Sequence, residues 1–446
     1  MFILKDLVTP LQEQFSDTKQ GQKRKIWFAY TLLAIVIPFT SSITSNLLRA
    51  LRTLFGFDIE NQRYYAFMAS STLPWKALWK QMWSSIPEPA TDGRIIAALD
   101  DSINPKSGKK IFGCSHFHNH ATKGNQSSYP WSQCIVAVGL LKVIKSRWAC
   151  VPLGFRFYMM KKDIEAKSIT VTRGGDIVSF ESKMQQAATM LLDIQKHFNQ
   201  KVLAVTDSWF GNNGLWSRVG SGAGGIDLLS RLRTNIVLYD FAPTRPAGEK
   251  APRGRKRKYG ARLGKAKELA EKYWALAEPY SVFLYGKQRD VQAFSQDVML
   301  KTMKCPVRVV WVYRKTRYIA LFTTDLTLSV EQIIEYYGAR WKIESGFKEI
   351  KQEIGSSKTQ TRNAFAVTNH LNFCMMATTL TWIYADKLQR TPERKHKIKG
   401  RASFAFSDIR KIMTEAILDP DFKSICPLPM QTPQNSIIKT LLRMVA

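Results

Sequence analysis

The chain has 446 residues, of which 66 are Lys or Arg and 35 are Asp or Glu, giving a formal charge of +31. Its 45% hydrophobic content excludes wholesale disorder and leaves room for two to four domains at roughly 100–200 residues each. The charge excess excludes a small neutral substrate as the whole story and points to a polyanion, nucleic acid before an anionic membrane. Six scattered cysteines without a CxxC pair exclude a disulfide scaffold and indicate a reducing cytosol.

Residues 1–90 read as helical. The run IWFAYTLLAIVIPFTSSI (26–43) follows Lys23, Arg24 and Lys25 but contains Pro38, Thr40, Ser41 and Ser42. It is short of the roughly 20 apolar residues of a membrane span, and no cleavage site precedes it, so a buried helix ending near Pro38 is expected, with no membrane partner. Trp75, Trp79 and Trp83 recur every fourth residue, a helical stripe expected in the core. Arg49, Arg52, Lys76 and Lys80 lie nearby and are available to phosphates.

From Arg94 the pattern changes. IIAAL (95–99) is a short apolar run that stops at Asp100, Asp101 and Ser102. Runs 134–144 and 150–160 read as an antiparallel pair joined by a turn at 145–148. Residues 182–198 have helical periodicity, and VLAVT (202–206) ends at Asp207. Acids at the ends of two buried strands suit a site at a sheet edge on a mixed α/β scaffold. GSGAGG (220–225) lacks the Lys-Ser/Thr of a phosphate loop and reads as a turn. Residues 244–272 form a Gly-, Pro-, Lys- and Arg-rich stretch, a basic arm that includes Arg253, Arg255, Lys256, Arg257 and Lys258. Runs 281–286, 307–314 and 317–324 alternate as strands of a β-rich insertion, and 391–402 is a second basic loop within a helical tail. Cys114, His116, His118 and His120 alternate, so a regular strand would put them on one face; surface imidazoles near DNA compete with a zinc or copper role.

Residues 330–354 have the pattern of one long helix, with Gly355 as its stop. At about 100° per residue, Tyr337, Arg340, Glu344, Lys348 and Lys351 fall within one face about 80° wide. Glu349 and Glu353 fall on another face. Asp100, Asp207 and Glu344 supply the hard oxygen donors that Mg2+ prefers, with Mn2+ as a substitute. Two such ions can activate water and stabilise the leaving oxygen of a phosphodiester, while the neighbouring cations hold the flanking DNA phosphates.

Tyr337-x2-Arg340-x3-Glu344-x6-Lys351 resembles the Tyr–Arg–Glu–Lys signature of a group of bacterial insertion-sequence DDE transposases. The segments around Asp207 (202–216) and Asp100 (99–110) resemble that family's first two acid motifs, and Ser102 two residues on selects Asp100 over Asp101. The basic 244–260 segment is similar to the start of the family's insertion. The likeness covers about residues 90–390. It implies a ribonuclease-H-like α/β core with a β-rich insertion, flanked by helical N- and C-terminal regions. The corresponding boundaries are a helical, DNA-binding region 1–90, a first core part 91–240, the insertion 241–328, core-completing helices 329–390 and a tail 391–446. It further implies metal-dependent cleavage at transposon ends, strand transfer into target DNA, and terminal inverted repeats as partners. A homodimer on DNA and a bacterial, nucleoid-associated cytoplasmic location go with it. Tyr337 and Arg340 would grip a phosphate at the DNA end and Lys348 and Lys351 would add contacts; Trp311 or Tyr318 could stack on a base by position, although core packing on a strand is the favoured reading for each. The alternatives are a ribonuclease-H-like nuclease or resolvase without strand transfer, and a non-catalytic basic DNA-binding protein.

Overall fold

The computed structural model describes residues 3–57, 59–119, 122, 124–167, 179–220, 224–243, 257–315, 317–396 and 403–419. In chain order these form α1 (Ile3–Gln12), α2 (Lys19–Val36), α3 (Thr44–Phe55), α4 (Asn61–Met68), α5 (Trp75–Ser84), β1 (Arg94–Pro105), β2 (Cys114–His116), β3 (Trp131–Ile144) and β4 (Arg147–Tyr158). Next come α6 (Lys161–Lys167), α7 (Lys183–Phe198), β5 (Lys201–Thr206), α8 (Asn213–Val219), β6 (Asp227–Arg231), β7 (Val237–Tyr239), β8 (Arg262–Lys265), α9 (Ala266–Tyr273), β9 (Glu278–Leu284) and β10 (Lys287–Leu300). The series closes with β11 (Cys305–Arg314), β12 (Arg317–Thr323), α10 (Val330–Ala339), α11 (Trp341–Lys348), α12 (Ala364–Lys387) and α13 (Phe406–Ile417). They fall into two compact units. The first joins Met1–Pro89, Asp101–Lys183 and Glu344–Ala446; the second joins Ala90–Asp100 and Met184–Ile343, so the chain changes unit within β1.

The first unit is built around α12. Its sequence is apolar or small and polar on every side, so it is buried on almost all turns from Ala366 to Ala385. It packs against α2 and β4, with Phe373 between Phe28 (ring centroids 5.3 Å apart) and Trp75 (5.0 Å). The tryptophan stripe of α5 is core, as its spacing indicated. Trp75 and Trp79 donate their indole N–H groups to Asn369 (2.7 Å) and Asn372 (2.8 Å), and Trp83 donates to the Leu153 carbonyl (2.9 Å). Helix α2 ends before Pro38 with its second half buried, and among the described residues no helix is long and apolar enough to cross a membrane. Strands β3 and β4 pair from Ile144–Arg147 back to Cys134–Tyr158, with a register shift at Val138/Gly139 that leaves Leu153 as the extra residue, and turn on Lys145 (φ 48°) and Ser146 (φ 63°). Both turn residues are left-handed, which matches the twist of a tight hairpin.

In the second unit, β1 and β5 pair in parallel, with Leu99 opposite Thr206, and β5 pairs in parallel with β6. Ile95–Leu99 of β1 and Val202–Val205 of β5 are continuous apolar runs, buried throughout, whereas β6 contributes only Leu228 and Leu229 to the core. Antiparallel pairing then adds β12, β11 and β10, with β9 and β7 also on β10 and β8 on β7. Helix α10 starts from a reciprocal cap, Ser329 with Gln332, and packs against β5, β6, β9 and β12.

Three expectations change. The basic 244–272 stretch is not an arm throughout, because its second half forms β8 and α9, with Leu269, Ala270 and Tyr273 buried. Strand β10 was not anticipated, since its first four residues are polar and exposed and no apolar run marks its start. The long helix expected over 330–354 is interrupted at Arg340 and closes in a π-helical turn from Glu349 to Glu353. That turn has a cause in the core: the buried Glu349 carboxylate accepts the Trp382 indole N–H at 3.0 Å, and the Ile354 N–H reaches back to the Glu349 carbonyl at 2.8 Å.

Candidate active site

Parallel pairing of β1 with β5 decides the first element of the site. Leu99 and Thr206 are the last paired residues, so Asp100 and Asp207 are the next positions on two adjacent strands at the same end. Asp207 opens a tight turn: its Oδ1 accepts the N–H groups of Trp209 and Phe210 (3.0 Å each), and its carbonyl takes the Gly211 N–H (2.9 Å) and the Ser230 hydroxyl (2.7 Å). Gly211 is required there, because an added Cβ would lie 2.1 Å from Ser230 Oγ. Arg340 reaches Asp100 with Nη1 at 3.3 Å from Oδ2, and the two side chains are only 8% and 19% exposed. Its guanidinium also stands 5.8 Å from the centre of the Tyr337 ring and 5.5 Å from that of Trp341. Burial raises the Tyr337 phenol above its ordinary range, while Arg340 and Arg231 oppose the rise and Asp207 adds to it. Asp100, Asp207, Tyr337 and Arg340 are therefore one interacting group within the second unit.

Beyond Asp100, β1 continues into the first unit. Asp101 pairs with Lys183 at 2.8 Å, and the Cys134 thiol lies 3.7 Å from the same carboxylate oxygen. Lys351 donates to the Ser102 hydroxyl and to the Ile103 carbonyl, both at 2.6 Å. Burial lowers its ammonium to about 8, against the opposing pull of Cys134 and Asp101. Lys106, also lowered to about 8 by burial, donates to the carbonyls of Ser357 (2.9 Å) and Thr359 (2.8 Å). Glu344 is half-buried in the first turn of α11, Lys348 at its end is exposed, and Glu349 and Glu353 belong to the interior of this unit.

Among the described residues no group of three or more His, Cys, Asp or Glu side chains is placed to hold a metal ion. His116 bonds the Tyr129 carbonyl at 2.9 Å, Cys114 is buried, and His120 lies outside the described residues. Of the basic arm, Arg257 and Lys258 are exposed, whereas Arg253, Arg255 and Lys256 lie outside the described residues, as do 221–223 of the glycine-rich turn.

Trp311 does not offer a stacking face. It is fully buried, and its indole donates to the Ala266 carbonyl at 3.0 Å, because alternate residues of the central strand β11 point into the core. The hydroxyl of Tyr318 is buried too. Among the described residues the exposed tryptophans are Trp209 (43%), Trp274 (47%) and Trp341 (51%), alongside exposed tyrosines such as Tyr129 and Tyr285. Trp209 lies two residues after the predicted Asp207 and Trp341 directly follows Arg340 in sequence, which was the available signal.

A family model described as "DDE superfamily endonuclease" matches residues 11–279, and one described as "Transposase DDE domain" matches residues 181–380. No curated protein matches the chain. Among solved structures it is similar to a piggyBac transposase in a synaptic complex with hairpin DNA, at 10% identity and a TM-score of 0.43, covering 96% of this chain and 77% of that chain. With the first family model spanning more than half its length, the chain belongs to the DDE superfamily endonuclease family and has that class's ribonuclease-H-like core within a mixed α/β fold.

Proposed function

We propose that this protein is a DNA transposase that cleaves phosphodiesters at transposon ends and joins the freed 3′-hydroxyl to target DNA. The observation that carries the reading is the placement of Asp100 and Asp207 at the same end of two adjacent parallel strands. Family membership, with a transposase domain over residues 181–380, and the net charge of +31 support it. Asp100, Asp207 and Glu344 are the proposed catalytic acids. Their donor set, all carboxylate oxygen, fits Mg2+ or Mn2+. The Arg340 guanidinium beside Asp100 also fits: it balances a charge that a bound cation would otherwise balance. Divalent ions held there would lower the pKa of the attacking water and stabilise the leaving oxygen.

The chain's own residues have separate tasks. Two backbone N–H groups orient the Asp207 carboxylate. Tyr337 and Arg340 position the phosphate at the DNA end, and the exposed Lys348, Arg257 and Lys258 neutralise backbone phosphates. Arg253, Arg255 and Lys256, which lie outside the described residues, are proposed DNA-phosphate contacts by their charge. The partners are duplex DNA, terminal inverted repeats and target DNA, engaged by a homodimer, in the nucleoid of a bacterial cytoplasm.

Glu344→Gln removes one donor charge and no cation. It is expected to abolish cleavage of a DNA fragment carrying the element's ends in Mg2+ while leaving DNA affinity within about two-fold, as scored by nicking and gel-shift assays. Equal cleavage by variant and parent removes Glu344 from the mechanism. Strand-transfer products distinguish transposition from nuclease action alone, and binding without nicks leaves only a DNA-binding protein.

A further inference from the structure

We infer that Lys351 and Lys183 are positioning residues for the Asp100 carboxylate, acting through strand β1 and not by touching DNA. The inference rests on the metal-dependent reading above and assigns Lys351 a task other than gripping a phosphate. The three residues after Asp100 are held from two directions. The Asp101 carboxylate is paired with Lys183 at the start of α7, with side chains 27% and 19% exposed. The ammonium of Lys351 spans Ser102 Oγ and the Ile103 carbonyl at 2.6 Å each. Neighbouring side chains on a strand point to opposite faces, so Asp101 and Ser102 anchor β1 on both faces of the ladder. Asp100 is joined to this anchored stretch by a single peptide bond.

The carbonyl of Ile103 accepts the ammonium although it lies inside a strand, so Lys351 satisfies a backbone acceptor as well as a side chain. The π-helical turn from Glu349 to Glu353 shifts Lys351 from the position that a regular helix would give it. The Glu349 carboxylate held by Trp382 fixes that turn. A lysine with two short acceptors inside its own unit is engaged in structure, whereas Lys348, three residues earlier, is exposed and available to a phosphate.

Two measurements on the full chain separate the two tasks. The first is the salt dependence of duplex-DNA binding in EDTA, where each phosphate contact contributes about 0.9 to the log–log slope. The second is Mn2+ binding in the absence of DNA, read from the electron paramagnetic resonance signal of free Mn2+. Lys351→Met is expected to leave the slope unchanged and to weaken Mn2+ binding ten-fold or more. Ser102→Ala, a small change that preserves the strand, is expected to weaken Mn2+ binding in the same direction, and the double variant to lose little beyond Lys351→Met. Lys183→Met is expected to weaken Mn2+ binding, with Lys183→Arg restoring it. A slope reduced by about 0.9 with Mn2+ binding intact makes Lys351 a phosphate contact and overturns the inference. Parent-like Mn2+ binding by Lys351→Met and Ser102→Ala also overturns it and leaves the nuclease reading standing. A parent chain that binds no Mn2+ and cuts no DNA overturns both.

Discussion

Arg340 is the residue whose removal tests the site most directly. Its guanidinium lies 3.3 Å from Asp100, and both side chains are largely buried. At that distance and an effective dielectric near 20, the attraction is about 5 kcal/mol before desolvation is counted. Much of it is offset by the cost of taking both charges out of water. Removing one partner of a buried pair nonetheless costs several kcal/mol, since the other charge stays behind uncompensated. Asp100 retains some solvent, so the loss for Arg340→Met is roughly 2–3 kcal/mol, at the low end of that range. For a unit of this size the corresponding shift is about 5–10 °C in the melting temperature of the second unit. A divalent cation beside Asp100 can replace the missing positive charge. Mn2+ should therefore stabilise the variant more than the parent, and each ten-fold gain in affinity adds about 1.4 kcal/mol at saturation. Calorimetry of both chains in EDTA and in MnCl2 measures these quantities, and a double-mutant cycle with Asp100→Asn isolates the pair. A variant as stable as the parent in EDTA, or one that gains no more than the parent from Mn2+, refutes the reasoning.

Three further outcomes are expected. Trp311→Phe leaves the Ala266 carbonyl without its indole partner and creates a small void, so it should destabilise by roughly 1–3 kcal/mol while DNA affinity stays parental; weaker DNA binding at unchanged stability would restore Trp311 as a stacking residue. Lys348→Ala, at an exposed position, should lower the salt slope of DNA binding by about 0.9 without moving the melting temperature, and an unchanged slope would place it off the DNA path. His370 is fully buried against the Ser42 carbonyl, and burial lowers its imidazole to about 4 from 6.5. The unfolded chain therefore binds the extra proton first, and stability is lost as pH falls from about 6.5 towards 4, by roughly 3 kcal/mol in total. His370→Gln should flatten that acid limb in denaturant titrations; a limb as steep as the parent's would assign the acid sensitivity to other groups.

Local chemistry made much of this protein legible. The apolar run before Asp207 marked the end of β5, because a charge cannot follow a buried strand inward, whereas β1 runs on past Asp100 to Pro105, which its apolar run did not announce. The four-residue spacing of Trp75, Trp79 and Trp83 marked a core stripe, and Pro38 marked the end of a buried helix. Helical spacing grouped Tyr337, Arg340 and Glu344 on one face, and the family resemblance supplied their expected roles. Tertiary structure decided what periodicity does not contain. Which strands are neighbours, and hence that Asp100 stands beside Asp207, depends on pairing over more than a hundred residues. Strand β10 is invisible in the sequence because a half-exposed strand has few apolar residues to announce it. The π-helical turn at Glu349 goes with the indole of Trp382, thirty-three residues on, and it replaces the regular helical turn that periodicity predicts there. Helical period assigns a residue to a face, but only the packing around that face determines whether its charge meets solvent, DNA or another part of the same chain.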